Sequence, residues 1–494
     1  MPTKRSQLFL TSQSRIWIIP NRAGPGNAPE YQSYARGGAF NWNQGGINPV
    51  RVPSDEQFGK FIVAAVTQDQ ADLPQLNIEW RSTRQRSEVL ALLRGGCPFD
   101  VQVHIGTCRS PLDFDFGGEK VIILEGGRLD TYGIPDLGAF DKDQEAPGQE
   151  NTQVTGEDWY EVLPIVGNEV AASEVINPIV AVSICDSRTC GECGVSSNGC
   201  QIILAVAQST GGSPGLSAQL LISEDGGATW DNSLITTLGV SDPSDGTCVG
   251  TNYVVISAAD DSLHYAAIAD LLSGEEEWEE VTTGFVGAGS PNAIFSLGRV
   301  FTWIVGDGGY IYFSSDITSG VDVLSAGGVT AENLNDIHGI DRLNLLAVGA
   351  NNVVLNSENG GQTWALVEGP AAGVALTACW MLSETEWFVG TAGGELYYTV
   401  NQGRTWTQKA FTGQGSGSVN DIKFATPNVG YMAHAGNVLR TKNGGYSWYR
   451  LPESEGLTWP AATSYNALAA CEDDQNLVFA GGTRATDGVL VKGA

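Results

Sequence analysis

The stretch Ser223-Glu224-Asp225-Gly226-Gly227-Ala228-Thr229-Trp230 constrains the chain more than any other, because it returns three times. Its echoes are Ser357-x-Asn359-x-Gly361-x-Thr363-Trp364, Thr399-x-Asn401-x-Gly403-x-Thr405-Trp406 and Thr441-x-Asn443-x-Gly445-x-Ser447-Trp448. Each position has a physical task. Asp or Asn accepts backbone N–H bonds inside a tight turn, and Gly tolerates a positive φ. Ser or Thr closes the turn through its hydroxyl, and Trp anchors the outgoing strand in the core. The motif predicts a repeated hairpin corner.

The last three tryptophans lie 42 residues apart, and the 134 residues from Trp230 to Trp364 leave room for two weaker copies. Trp278 falls in phase, and Ser314-Ser315-Asp316-Ile317-Thr318-Ser319-Gly320 reads as a decayed turn. A period of about 40 to 50 residues with some four short strands per unit is that of a β-propeller blade. Apolar runs place seven blades at about 177–235, 248–283, 290–326, 334–368, 376–411, 419–452 and 466–494. The last has three strands of its own, so the ring is expected to close with a strand around Val175 to Val182, removing exposed sheet edges.

These turns resemble the Asp-box (BNR) repeats of sialidases, sortilin-like receptors and photosystem assembly factors, over about the last two thirds of the chain. The resemblance implies the fold. In that family the motif sits at blade corners away from the channel, which implies a structural role for all four copies.

Ahead of the propeller, residues 1–48 read as an arm rich in Gly, Asn, Gln and Pro, anchored by Phe40 and Trp42. Residues 49–168 read as a second β domain, with strands at 58–67, 77–81, 99–108, 120–127 and 159–166 and a helix over Ser87 to Arg94. The expected fold is therefore mainly all-β: a β-sandwich or barrel with one short helix, then the propeller over 169–494. From Gly46 to Val166 the chain resembles tail-tube and related virion proteins of tailed bacteriophages. The likeness lies in Asn48-Pro49-Val50-Arg51-Val52-Pro53, Arg94-Gly95-Gly96-Cys97-Pro98-Phe99-Asp100, the strand Val121 to Glu125 and Asp158-Trp159-Tyr160-Glu161. It implies stacked hexameric rings around a DNA channel, with the chain itself and other tail proteins as partners and the virion as location. The propeller would then project outward as decoration, touching host surface glycans. The alternative is a free assembly, scaffold or glycan-binding propeller.

Charge separates the two parts. Residues 1–168 carry 15 Lys+Arg against 21 Asp+Glu, leaving 11 against 35, a net of −24, for residues 169–494. Such a surface repels nucleic acid, so DNA would pass a lumen without specific binding. No hydrophobic region of signal-peptide length follows Lys4 and Arg5, and no run of about 18 apolar residues offers a membrane span.

Cys185, Cys190, Cys193 and Cys200 form a dense group with three competing readings: two disulfides within the group, tetrahedral zinc, or free thiols. Cys97 and Cys108 flank a strand, while Cys248, Cys379 and Cys471 read as buried small hydrophobes. A sialidase needs an arginine cluster, a tyrosine nucleophile and carboxylate partners. The propeller has only seven scattered arginines (Arg188, Arg299, Arg342, Arg404, Arg440, Arg450, Arg484), and its family's Phe-Arg-Ile-Pro type motif is absent. His104, His264, His338 and His434 show no metal spacing, and the run Glu275 to Glu280 reads as a solvated turn. A non-enzymatic protein without cofactor is expected.

Overall fold

The computed structural model describes residues 158–494 except 171–176, 186–199, 209–217, 235–241, 260, 275–277, 286–288, 298–300, 412–413, 415, 453–456, 473 and 486; between residues 15 and 155 it describes strand segments alone. The chain divides into two compact units near residue 164.

In the second unit seven four-stranded antiparallel sheets follow one another. Blade one spans 179–234, blade two 245–280, blade three 291–326, blade four 334–368, blade five 376–409, blade six 419–450 and blade seven 464–493. Second strands such as Ile202–Ala207, Leu345–Gly349 and Gly430–His434 are buried along their whole length, because blades cover both of their faces. The cores accordingly lie between blades: Ile304 and Tyr312 of blade three pack with Val254 and Ile256 of blade two, and Phe388 of blade five packs with Ile422 and Met432 of blade six.

The closing strand is not the one expected. Gly167–Glu169 pairs antiparallel with Val491 to Gly493 and forms the outer edge of blade seven, whereas Ile179–Cys185 is the inner strand of blade one. Three residues suffice because the strand is pinned: Arg484 donates to both carboxylate oxygens of Glu169, at 3.0 and 2.8 Å, and Gly167 lies too close to Trp459 for any Cβ.

Blade two departs from the repeat. Ile268–Ser273 forms a short α-helix, ended by Gly274 in the left-handed conformation, with Ile268 and Leu271 buried. The apolar run from Leu263 onward disguises the change from strand to helix. Trp278 is buried there, and Glu279–Glu280 forms the exposed outer strand.

In the first unit, Arg15–Pro20, Phe99–Ile105, Lys120–Tyr132 and Asp158–Val162 pair antiparallel, and the sheet extends through Glu150–Thr155, Gln75–Trp80 and Phe40–Asn43. The segment read as an arm thus contributes strands of its own. The helix expected over Ser87 to Arg94 lies outside the described residues.

Candidate functional site: the central channel

The inner strands share a defect that builds the channel wall. In six blades, their pairing with the second strand skips one residue: Val180, Asn292, Asn335, Thr377, Asn420 or Asn466. A bulge re-aims the extra side chain, and here the polar ones reach the next blade. Asn292 donates to the Leu334 carbonyl (2.9 Å), Asn335 to Leu376 (2.7 Å), Thr377 to Val419 (2.6 Å), Asn420 to Tyr465 (2.6 Å) and Asn466 to Ile179 (3.0 Å). Ser244 does the same from blade two, donating to the Pro291 carbonyl (2.9 Å). Blade one has Val180 at this position and reaches blade two through Ser183, which donates to the Gly246 carbonyl (3.0 Å).

A second set of staples alternates around the ring. Asp245, Asp336 and Asp421 stand on blades two, four and six, where the other four blades carry Ala181, Ala293, Ala378 and Ala467. Each carboxylate accepts the N–H of its own next residue, at 2.8 Å in every case. Its other oxygen accepts an N–H of the following blade: Ile294 at 3.1 Å, Cys379 at 2.7 Å and Leu468 at 2.8 Å.

The channel inside this wall has a volume of about 740 Å³ and takes lining residues from all seven blades. Three positions beyond each bulge, or beyond Ser244 in blade two, the repeat stops being uniform. Blades three to six place Phe295, His338, Trp380 and Lys423 there, while blades seven, one and two place Ala469, Ser183 and Thr247. His338 stacks on Trp380 with centroids 3.7 Å apart and lies 5.1 Å from Phe295. Lys423 sits 5.8 Å from the Trp380 ring centroid and 2.9 Å from Asp421. One side of the channel is therefore aromatic and cationic, the other small and polar.

Electrostatics fix the protonation states. Burial pushes Asp245 up to about 7 and Asp336 up to about 6, against the pull of their backbone donors and of Lys423. Burial alone would lower Lys423, but the Asp421 and Asp336 carboxylates outweigh it and hold the ammonium charged. His338 is held well below its ordinary value by burial and by Lys423. The neutral imidazole accepts the Met381 N–H on Nδ1 (3.0 Å), which leaves its proton on Nε2.

The repeated turns lie between the third and fourth strands of their blades and close on themselves. In blade one, Asp225 accepts from the amides of Ala228 and Thr229 and from the Thr229 hydroxyl (2.9, 2.8 and 2.6 Å), and Ser223 accepts the Gly227 N–H at 2.8 Å. Against partial desolvation, these donors hold the Asp225 carboxyl at about 2. Asn359, Asn401 and Asn443 likewise accept the backbone N–H of Thr363, Thr405 and Ser447, but their side-chain amides donate to those residues' hydroxyls, while Ser357, Thr399 and Thr441 accept the N–H of Gly361, Gly403 and Gly445. Asp316 keeps the cap in the decayed copy by accepting from Thr318 and Ser319.

The glycine two positions after the Asp or Asn of each turn also meets the preceding blade. A Cβ on Gly445 would stand 2.1 Å from Phe388, and one on Gly227 2.5 Å from Phe479. The motif tryptophans follow the same path, Trp230 onto Phe479 of blade seven and Trp448 onto Phe388 of blade five. Only Trp448 is fully buried; Trp230, Trp364 and Trp406 are half-buried, so their weight as core anchors is smaller than expected.

The cysteine group is corrected. Cys185 bonds to Cys248, with Cα atoms 5.7 Å apart, and Cys200 bonds to Cys471, at 6.0 Å. A zinc site from Cys185, Cys190, Cys193 and Cys200 would therefore lack two of its thiolates, and pairing wholly within the group fails for the same reason. Cys248 and Cys471 are disulfide partners rather than free hydrophobes, whereas Cys379 is a buried free thiol. Cys97, Cys108, Cys190 and Cys193 lie outside the described residues, as do Arg188, Arg299 and the His104 side chain. His264 and His434 are buried in blade walls.

The sequence reading missed the channel. The signal was present as Asn335-Asp336-Ile337 and Asn420-Asp421-Ile422, one motif at one phase of two blades.

No protein family matches the chain, and no curated protein matches it. Solved structures do. The WD40 repeats of RRP9 are similar at 7% identity over 67% of this chain and 98% of theirs, with a TM-score of 0.50. YCF48 bound to a D1 peptide is similar at 16% identity over 67% of this chain and 95% of that one, TM-score 0.49, and YCF48 from Cyanidioschyzon merolae at 16% over 66% and 98%, TM-score 0.49. The likeness to RRP9 shows fold alone: the chain carries a seven-bladed β-propeller similar to that of WD40 repeats.

Proposed function

We propose that the chain is a binding or assembly protein whose propeller docks another polypeptide, with the central channel as the point of recognition. The observation that carries this reading is the broken symmetry of the channel wall. A purely structural ring could fill equivalent positions alike; this one gathers Phe295, His338, Trp380 and Lys423 on one side of a cavity of about 740 Å³ and leaves the other side small. A concave site with an aromatic flank and a few fixed polar groups is suited to holding a ligand. The protonation states favour binding over catalysis. A charged lysine is a poor nucleophile, and a histidine kept neutral with Nδ1 already accepting a backbone proton is poorly placed as a general base.

The test is selection of a random peptide library on the immobilised full chain, repeated on a Trp380→Ala/Lys423→Ala variant. Peptides enriched on the first and lost on the second support the reading; equal enrichment on both refutes it.

A second reading makes the chain a tail-tube subunit that assembles through residues 46–166. What supports it, besides the sequence resemblance, is the extended antiparallel sheet that runs through that region, whose outermost described strands, Gln32–Tyr34 and Phe40–Asn43, could pair between subunits. Negative-stain microscopy of the full chain decides this one. Rings or tubes favour it, and dispersed single particles rule it out.

A further inference from the structure

Among the described residues, the seam between blades one and two has the fewest of these side-chain staples. At the seam with blade two, the bulged residue is Val180 rather than Asn or Thr and the staple position is Ala181 rather than Asp, so Ser183 alone among these wall positions crosses over. At the seam with blade seven, Asn466 crosses and Ala467 stands at the staple position, the same arrangement as at the seams after blades three and five. Among the described residues, the two seams that flank blade one are those that carry a disulfide. Cys185 reaches Cys248 of blade two across 63 residues, and Cys200 reaches Cys471 of blade seven across 271. Both cysteine pairs pack in the apolar layers of those seams, Cys185 beside Leu204 and Tyr253 and Cys200 beside Phe479.

We infer that blade one is held in the propeller by a redox latch: the ring is completed covalently, in oxidising surroundings, and reduction loosens blade one while the other six blades keep their order. Each bond forms by exchange with a small-molecule or protein disulfide. A cysteine thiolate attacks one donor sulfur and expels the first donor thiol; the partner cysteine then attacks the mixed disulfide and expels the second. Two protons and two electrons pass from the cysteine pair to the donor, which leaves as two thiols. Covalent closure of long loops removes much of the freedom of the open chain, so the latch reinforces both seams of blade one, most of all the seam with blade two, where Ser183 is the one wall side chain that crosses. This inference is independent of what the channel binds.

The test begins with the full chain, alkylated without reduction and digested. Cross-linked peptides joining Cys185 to Cys248 and Cys200 to Cys471 are expected; peptides joining Cys185 to Cys200, or alkylation of all four thiols in the folded protein, overturn the proposal. Amide hydrogen exchange is then compared with and without a phosphine reductant. Exchange should rise about tenfold or more in Ile179–Cys185 and Ile202–Ala207, with Leu376–Met381 of blade five unchanged. A uniform rise in all blades, or none, overturns the latch. The Cys200→Ser/Cys471→Ser variant should reproduce the rise at the blade seven seam without reductant, and if it fails to fold, the reduced wild-type protein still gives the decisive comparison.

Discussion

The alternating carboxylates of the channel wall predict an unusual pH dependence. Asp336 has an ordinary value of 3.8 and stands at about 6, and Asp245 goes from 3.8 to about 7. Between these limits the folded state binds more protons than the unfolded chain, so stability falls as pH rises through the window from about 4 to about 7. At about 1.4 kcal/mol per pH unit, the upper bounds are about 3 kcal/mol for Asp336 and about 4 kcal/mol for Asp245. Part of each figure is repulsion from a neighbouring carboxylate, Asp336 on Asp245 and Asp421 on Asp336, and both residues are only partly buried, so a combined loss of about 3 kcal/mol is expected. Replacing both by Asn removes the titration. It also costs about 1 to 2 kcal/mol per site at pH 4, because an amide offers one oxygen where the carboxyl meets two backbone N–H donors. The assay is urea unfolding of wild type and the Asp245→Asn/Asp336→Asn variant at intervals from pH 4 to pH 8. Subtracting one curve from the other cancels the remaining carboxylates. The wild-type advantage should shrink steadily as pH rises; a difference that is flat, or that grows with pH, refutes the reasoning.

Other predictions follow from packing. Trp448→Ala should destabilise by about 3 to 5 kcal/mol, because the ring is fully enclosed by Phe388 and Phe424, whereas the half-buried Trp406 should cost about 1 to 2 kcal/mol; equal losses in chemical denaturation would contradict this ranking. Gly445→Ala combines a positive φ of 78° with a Cβ driven into Phe388, and should cost about 3 kcal/mol or more. A chain beginning at residue 171 lacks Gly167–Glu169 and should aggregate through the bared edge of blade seven, while one beginning at residue 164 should not; light scattering separates the two. His434 is fully buried, and burial holds its imidazole below the ordinary value of 6.5, so its contribution is present at neutral pH and lost on acidification; His434→Leu should reduce acid sensitivity as pH falls below 6.5, read by urea unfolding.

The corner turns were legible because their chemistry admits few residue types. Asp225 must accept several amides at once, and Gly227 must combine positive φ with contact against a neighbouring blade. Blade positions followed from the apolar runs between these turns. The closing strand was hidden because Gly167–Glu169 has no apolar pattern; the strand it pairs with, Asp487–Gly493, has one in Val489 to Val491. The disulfides were hidden because their partners are adjacent in the ring but 63 and 271 residues apart in the chain. Sequence proximity favoured the wrong pairs. The helix Ile268–Ser273 is too short to establish a period against the strand that precedes it. The channel staples were written in the chain as a second repeat, weaker than the first because Ala replaces Asp in alternate blades and Val replaces Asn in blade one.

The most direct test of the binding reading is a hydrogen-exchange footprint of the full chain with and without a peptide selected on it. Protection is expected along the inner strands Leu334–Gly339, Leu376–Met381 and Val419–Phe424, which carry the aromatic and cationic side of the channel. Protection confined to outer strands such as Ala365–Glu368, or to the strands before residue 164, would contradict the assignment of the channel as the site of recognition.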